Sequence, residues 1–209
     1  MPDPAPRTRL GRPKDPRRRQ RILEEASRAF AANGYAGTSL ADVATALDLS
    51  KAALLHHFEN KQALYFEVVT MLVRELAAML GEASTVQGSF DERLDHLGAA
   101  FVDFLGNRRG LARLVLSELI GRGPWADGPG RPLVATTTTA VVAFLRVGVE
   151  EGAIAPQPLE HLAMSILGLH LLWFASDLSA GLIDDDPFAP ARIEERKAAV
   201  LHSIRALCR

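Results

Sequence analysis

The chain of 209 residues is long enough for one large domain or two small ones. Hydrophobic residues make up 48% of it and charged residues 23%, a globular composition that excludes a wholly disordered, collagen-like or disulfide-stabilised chain. The single cysteine, Cys208, cannot form an internal disulfide, and we find no apolar run of the roughly 20 residues that a membrane span needs. Since the N-terminus is also too basic for a signal peptide, we expect a cytoplasmic protein with no membrane partner.

The net charge of −1 is unevenly distributed along the chain. Residues 1–65 contain 11 basic and 7 acidic residues, a net charge of +4, which leaves 13 basic and 18 acidic residues, a net charge of −5, in the remainder. A basic front on an acidic body favours binding of a polyanion at one end, although a solvated tail that keeps the protein soluble has the same composition.

The first part of the chain is predicted to be a flexible basic arm, residues 1–16, followed by a helical domain, residues 17–62. The arm is rich in Pro and Arg and lacks periodicity. An apolar stripe in the first helix ends at Asn33-Gly34, a helix stop. Ser39, Ser50 and Asn60 are placed to cap the second, third and fourth helices.

The remainder, residues 63–209, also has helical periodicity. Apolar residues alternate at steps of four and three from Phe90 to Phe104, which predicts a core-facing helix. A Gly/Pro loop at 121–132 separates this part from the last helices; the further predicted helices lie near residues 108–120, 133–151, 158–181 and 190–208. Leu162–Ala175 is apolar nearly all round, so we expect it to be buried on every side. The sequence thus predicts an all-α protein of about nine helices.

The second and third predicted helices are joined by a tight turn. Only Asp48 and Leu49 lie between Leu47 and Ser50, and Asp tolerates the left-handed backbone of such a turn. Two short helices on a tight turn form a helix-turn-helix, whose second helix can enter a major groove. This helix would expose Lys51, Ala52, Leu55 and His56, while Leu54 and Phe58 face inward.

Residues 17–66 resemble the DNA-binding domain of TetR-family transcriptional regulators. Some dozen positions of the run from Gly34 to Leu64 match in register; among them are Gly34, Thr38, Ser50, Phe58, Lys61 and Leu64. The resemblance implies a homodimer, an N-terminal three-helix domain that binds operator DNA, and a C-terminal helical bundle that holds an inducer pocket.

The resemblance also implies roles for single residues. Thr38 and Ser39 would contact phosphates, Ser50–His56 would be the recognition helix, and Lys61 would contact the DNA backbone. Three positions depart from the family: Leu55 replaces a usual Tyr, Ala53 a frequent Thr, and Asp48 a Gly. The DNA-binding candidates are Arg12, Arg17, Arg18, Thr38, Ser39, Ser50, Lys51, Ala52, Leu55, His56 and Lys61.

The ligand and dimer surfaces are expected in residues 63–209. Large aromatic residues and isolated histidines on apolar faces are the candidate pocket lining; they are His96, Phe101, Phe104, Trp125, His170, Trp173 and Phe174. Since few charges interrupt these faces, a bound molecule would be mostly apolar or aromatic, although a lone buried His more often bonds a backbone carbonyl. Residues 158–181 and 190–208 carry more apolar surface than the outer layer of a monomer exposes, which favours a homodimer.

No motif in the sequence indicates an enzyme. The chain has no Gly-rich phosphate loop after a strand, no nucleophile elbow and no Cys/His zinc spacing, so we predict no catalytic residue, metal or cofactor. We predict a ligand-responsive, dimeric, DNA-binding repressor released from its operator by a small apolar inducer. The alternatives are a regulator of the same fold that acts without a ligand or as an activator, and a helical protein that binds apolar ligands without a DNA function.

Overall fold

The computed structural model describes residues 16–120, 124–125, 128, 130–176 and 178–209. These residues form ten helices and no strand: α1 (Pro16–Gly37), α2 (Leu40–Thr45), α3 (Lys51–His57), α4 (Lys61–Thr85), α5 (Phe90–Gly106), α6 (Leu111–Leu119), α7 (Arg131–Glu150), α8 (Leu159–Ala175), α9 (Leu178–Ile183) and α10 (Pro190–Leu207). The all-α prediction is confirmed. The predicted helix at 158–181 is two helices, α8 and α9. The predicted arm, with Arg12, falls outside the described residues except for Pro16, which begins α1.

Helices α1 to α3 form the headpiece, a small unit with its own apolar centre. Ile22, Ala26 and Phe30 of α1 are completely buried. The backbone of Gly34 leaves helical geometry at φ +69°, which confirms the predicted stop within the segment assigned to α1. Asp48 takes φ +55° in the turn between α2 and α3, the left-handed conformation that the short connection requires. The helix-turn-helix is therefore present as predicted.

Side-chain caps fix the starts of the next three helices. The Ser39 side chain accepts a hydrogen bond from the backbone N–H of Ala41, and that of Ser50 accepts one from Ala53. The Asn60 side chain accepts one from Ala63 at 2.8 Å. Each bond satisfies one of the backbone donors that the first turn of a helix leaves unpaired. All three predicted caps are confirmed.

The remaining helices form the body, with α4 as its long central element. Helix α4 packs against α1 of the headpiece and against α5 and α7 of the body, while α6 packs on both α1 and α8. Helix α10 closes the body against α5. Two contact regions, α1 with α4 and α1 with α6, therefore hold the headpiece on the body.

Two expectations about the body are wrong. Leu162–Ala175 is not buried on every side, because Met164 and Leu172 of α8 are 66% and 65% exposed. Helix α7 is long and apolar enough to cross a membrane by length and composition, since an 18-residue window of it has a mean hydropathy of 1.5, although the sequence pattern predicted no such segment. Length and composition do not distinguish a membrane span from a helix of a globular body, and α7 packs against α4 and α8.

Candidate functional site

The exposed face of α3 carries four of the predicted DNA-binding residues. Lys51, Ala52, Leu55 and His56 are exposed, whereas Leu54 and Phe58 are buried against the headpiece core. Positions 51, 52, 55 and 56 share one side of a helix because its residues repeat every 3.6 positions. Helix α3 thus presents a continuous outward face that combines an ammonium, an imidazole and two apolar side chains.

Basic side chains of α1 lie beside this helix-turn-helix. Arg17 and Arg18 are exposed in the first turn of α1. Arg18 and Arg21 border the same small hollow as Leu47, Asp48 and Leu49 of the turn. Because guanidinium groups form strong, charge-assisted bonds to phosphate, this arrangement places cations where a polyanion lying across the turn would pass.

Lys61 lies close to the chain segment that joins α1 and α2. Its Nζ donates a hydrogen bond to the Ala36 carbonyl at 3.1 Å and sits 4.7 Å from the centre of the Tyr35 ring. Ser39 and Ser50 are exposed while they cap their helices. Ser39 and Ser50 therefore combine a structural contact with exposure, while Lys61 is half-buried.

The structure does not support the predicted phosphate contact by the Thr38 side chain. Thr38 is only 4% exposed, and its hydroxyl donates toward the carbonyls of Gly34 at 2.8 Å and Ala29 at 3.1 Å. These carbonyls belong to the end of α1, where the helix leaves acceptors unpaired. The Thr38 hydroxyl therefore ties α2 to the end of α1 instead of facing outward.

A cavity of about 340 Å³ lies between α4, α6 and α7. Its wall is mainly aliphatic, with Glu118 and Arg131 as its charged members; the lining comprises Val69, Leu72, Val73, Leu76, Leu114, Val115, Glu118, Leu119, Trp125, Arg131, Val134 and Ala135. The Trp125 indole N–H points to the Thr70 hydroxyl oxygen at 3.4 Å, which helps to fix the ring in the wall. A concave, apolar site of this volume with a few polar groups has the properties of a small-molecule site.

Glu118 is the polar group of the cavity wall that lies deepest in the protein. It is 6% exposed, and it accepts a hydrogen bond from the hydroxyl of Tyr65, which is 1% exposed. Burial raises the pKa of the Tyr65 hydroxyl above its ordinary value, and the hydrogen bond to Glu118 raises it further. The Tyr65 hydroxyl therefore stays protonated as a donor that joins α4 to α6.

The Tyr65 ring also reaches the headpiece. It packs edge-on against Phe30 and Tyr35, with ring centroids 4.9 Å apart in both pairs. Tyr35 in turn carries the Lys61 ammonium on its face. A continuous set of contacts thus runs from the cavity wall to the junction of α1 and α2.

Of the predicted pocket residues, the structure places one, Trp125, in the cavity wall. His96 is exposed on α5 and faces no pocket, so the expectation that it lies on an apolar face is wrong. Phe101 stacks on His170 at 4.7 Å in the core between α5 and α8. Phe104 lies beside Phe101, at a centroid distance of 6.3 Å.

The remaining predicted pocket residues also lie away from the cavity. The ring nitrogens of His170 are 2.8 Å and 3.3 Å from the carbonyls of Ile166 and Gly98, and burial lowers its pKa. Trp173 packs under the Arg196 guanidinium. Phe174 packs against Phe188, and both border a second cavity, of about 380 Å³, between α1, the start of α6 and the segment that follows α8.

One feature of the sequence could have indicated the cavity wall, which was not predicted apart from Trp125. Leu111, Leu114, Val115 and Glu118 repeat at helical spacing on α6, so an acidic residue occupies an otherwise apolar face. A carboxylate at such a position is costly to bury without a partner, and this marks it for attention. The aliphatic residues of α4 gave no signal, since wall and core residues have the same pattern. Among the described residues, no group of His, Cys, Asp and Glu is arranged to hold a metal ion.

The comparison with family models matches residues 22–68 to "Bacterial regulatory proteins, tetR family". A curated relative, the HTH-type transcriptional repressor Rv1474c of Mycobacterium tuberculosis, is 31% identical over 121 residues, 57% of this chain and 63% of the relative. The match thus covers less than two thirds of that relative's length. These names denote transcriptional regulators and not enzymes, as the sequence predicts.

Solved structures extend the likeness to nearly the whole chain. The TetR family transcriptional regulator PfmR from Thermus thermophilus superposes with a TM-score of 0.70 and 27% identity over 89% of this chain and 97% of its own. AibR, in complex with isovaleryl coenzyme A and operator DNA, shares the fold with a TM-score of 0.69 and 21% identity, over 89% of this chain and 97% of its own. Residues 22–68 thus match the model of the TetR family, and the chain shares the fold of solved TetR-family regulators over about nine tenths of its length.

Proposed function

We propose that this chain is a dimeric repressor that binds operator DNA through α3 and leaves it when a small, mostly apolar ligand enters the cavity. The observation that carries the proposal is the exposed face of α3, held in place by the left-handed turn at Asp48 and the Ser50 cap. With Arg18 and Arg21 beside the turn, this face combines groups for phosphate contact with exposed side chains that can reach base edges. Its site of action would be the cytoplasm, where bacterial operators lie.

The dimer surface would consist of the exposed sides of α8 and α10. Met164, Gly168 and Leu172 of α8 lie at helical spacing on its outer side, and small residues of α10 such as Ala199 and Ala206 are exposed. Exposed apolar and small side chains on two adjacent helices favour close packing with a second copy. The two recognition helices would then need to lie about 34–36 Å apart to enter successive major grooves.

The ligand would be bound between α4, α6 and α7. The aliphatic walls favour an apolar molecule, while Glu118 and Arg131 offer polar contacts to its ends. The structure of AibR with isovaleryl coenzyme A and operator DNA supports the idea that this fold can host both a ligand and DNA.

Coupling would pass through α4. This helix contributes Val69, Leu72 and Leu76 to the cavity, and one turn before Val69 it carries Tyr65, which contacts the headpiece. A ligand that shifts α4 would change the spacing of the two recognition helices. Ligand and operator would therefore weaken each other's binding by the same factor.

The test is capture of genomic DNA fragments on the purified protein, followed by sequencing. We expect enrichment of a few sites with two half-sites one helical turn apart. The matched variants are Lys51→Ala on α3, which should lose the enrichment, and Arg146→Ala on the exposed side of α7, which should keep it. No enrichment by the unaltered protein would reject the proposal.

The ligand part is tested separately, with compounds suggested by the genes beside the captured sites. A true inducer should bind the free protein more tightly than the operator complex, and by the factor by which it weakens operator binding. Equal affinity for free and operator-bound protein would reject ligand control while leaving DNA binding intact.

A further inference from the structure

A large apolar side chain lies exposed on the outer face of α3. Leu55 is 37% exposed and is the one large hydrophobic side chain so exposed among the described residues of α1 to α3. Its neighbour Leu54 is completely buried in the headpiece core. Leu55 of the same turn thus directs an apolar side chain outward.

Ala52 extends this apolar surface. It is exposed three residues before Leu55, a spacing that puts the two side chains side by side on a helix. Lys51 and His56 flank the pair with polar groups. The outer face of α3 is therefore a small apolar patch between two groups that can hydrogen-bond.

An apolar patch can recognise only certain features of a DNA groove. Leu55 and Ala52 carry no side-chain donor or acceptor, so they can bond neither to phosphate oxygens nor to the polar edges of bases. The major groove presents one apolar group, the C5 methyl of thymine, and apolar side chains distinguish bases by contact with it.

Resting on the proposed DNA-binding function, we infer that Leu55 and Ala52 read a thymine methyl in each half-site of the operator. Leu55 is the specificity-determining residue of this contact, and Ala52 supplies the space beside it. Lys51 and His56 form hydrogen bonds to the polar base edges or phosphates next to this thymine. The preferred half-site therefore contains at least one thymine whose methyl group, as distinct from its hydrogen-bonding edge, contributes to affinity.

The test replaces each thymine of one half-site in turn by deoxyuridine, which removes the methyl and keeps the base pair. Binding of the captured operator to the full chain is measured by fluorescence anisotropy at fixed salt. We expect one or two positions at which the loss of the methyl weakens binding about fourfold, the value of one buried methyl group. The other thymines should respond little.

The same series with Leu55→Ala decides whether this residue makes the contact. The variant should bind the normal operator more weakly and show no further loss at the sensitive positions. Leu182→Ala, an exposed leucine of α9, is the matched control and should retain the full methyl effect. Thermal unfolding of both variants should match that of the unaltered chain, because both side chains are exposed.

The failures are distinct. If no uridine substitution weakens binding, or if Leu55→Ala keeps the same loss at the sensitive positions, the methyl contact is rejected and DNA binding stands. If the chain binds no DNA, the proposed function is rejected, and this inference with it.

Discussion

Helices α2, α3 and α4 each begin with a side chain that caps the backbone, whereas α6, α7 and α8 begin at Gly110, Gly130 and Pro158 without such a bond. Helix α3 of the first group carries the proposed DNA-binding face, whereas α6 and α7 form two walls of the cavity. The proposed DNA-binding face is thus specified mainly by interactions between residues a few positions apart. The cavity depends on packing between segments that are far apart in sequence.

The largest effect should come from Gly110, where long-range packing determines the residue. It takes φ +79°, and a Cβ there would lie 2.1 Å from the Ala31 carbonyl oxygen of α1. Gly110→Ala therefore combines backbone strain with a clash between α6 and the headpiece. We expect a loss of about 3 kcal/mol in the free energy of unfolding, measured by urea denaturation.

Gly152→Ala separates the two causes. Gly152 takes φ +75°, but nothing lies within 4 Å of its missing Cβ. This variant should lose only the strain contribution, about 1 kcal/mol. Equal losses in the two variants would mean that the close approach of α6 to α1 contributes nothing.

The next largest effect should come from the hydrogen bond between Tyr65 of α4 and Glu118 of α6. Tyr65→Phe removes the hydroxyl that donates to the buried Glu118 carboxyl group and leaves the ring contacts with Phe30 and Tyr35 in place. We expect a loss of about 2 kcal/mol in the free energy of unfolding at neutral pH, since one hydrogen bond to a buried carboxyl group is lost.

The pH dependence of this loss has a definite sign. The pKa of Tyr65 in the folded chain is raised above its unfolded value of about 10, because burial disfavours the phenolate. Below pH 10 its contribution to stability is fully present; above pH 10 the unfolded chain releases the proton and the contribution falls. The stability gap between the unaltered chain and Tyr65→Phe should narrow as pH rises above 10. Tyr35→Phe, which keeps Tyr65, should retain the alkaline decline.

The smallest effects should come from helix starts, with opposite signs at a capped start (α4) and an uncapped one (α10). Asn60→Ala removes the cap of α4 and should cost about 1 kcal/mol. Ala189 stands at the start of α10 with an extended backbone and no side-chain bond, so Ala189→Ser should gain up to about 1 kcal/mol. Thermal unfolding midpoints of the two variants would measure both. A loss on Ala189→Ser would show that the start of α10 is fixed by packing alone.

The same division explains what the sequence could predict. Asp48 in the turn and the caps at Ser39, Ser50 and Asn60 follow from local rules, and each is present. Local rules do not predict the contacts of Thr38. Its hydroxyl donates toward carbonyls of α1 that lie four and nine residues earlier, and the local sequence pattern does not indicate this.

The position of the cavity could not be predicted from local rules. Phe101 and His170 have the same pattern as pocket residues, yet they stack on each other in the core. Leu72 and Leu114 look like core residues, yet they line the cavity, because its position depends on how α4, α6 and α7 meet. Which side of α8 faces outward could not be predicted either, because Leu162–Ala175 is apolar nearly all round and no polar face marks its outer side.

The close approach of Gly110 to Ala31 has a consequence for recombination between regulators. A headpiece transplanted from another protein of this fold would meet the α6 of this chain at that point, where the backbones leave no room for a side chain. A chimera that pairs this headpiece with a foreign body should therefore fold only if the new body also has glycine at the start of its α6. Domain exchange would then depend on a single residue that belongs neither to α3 nor to the cavity wall.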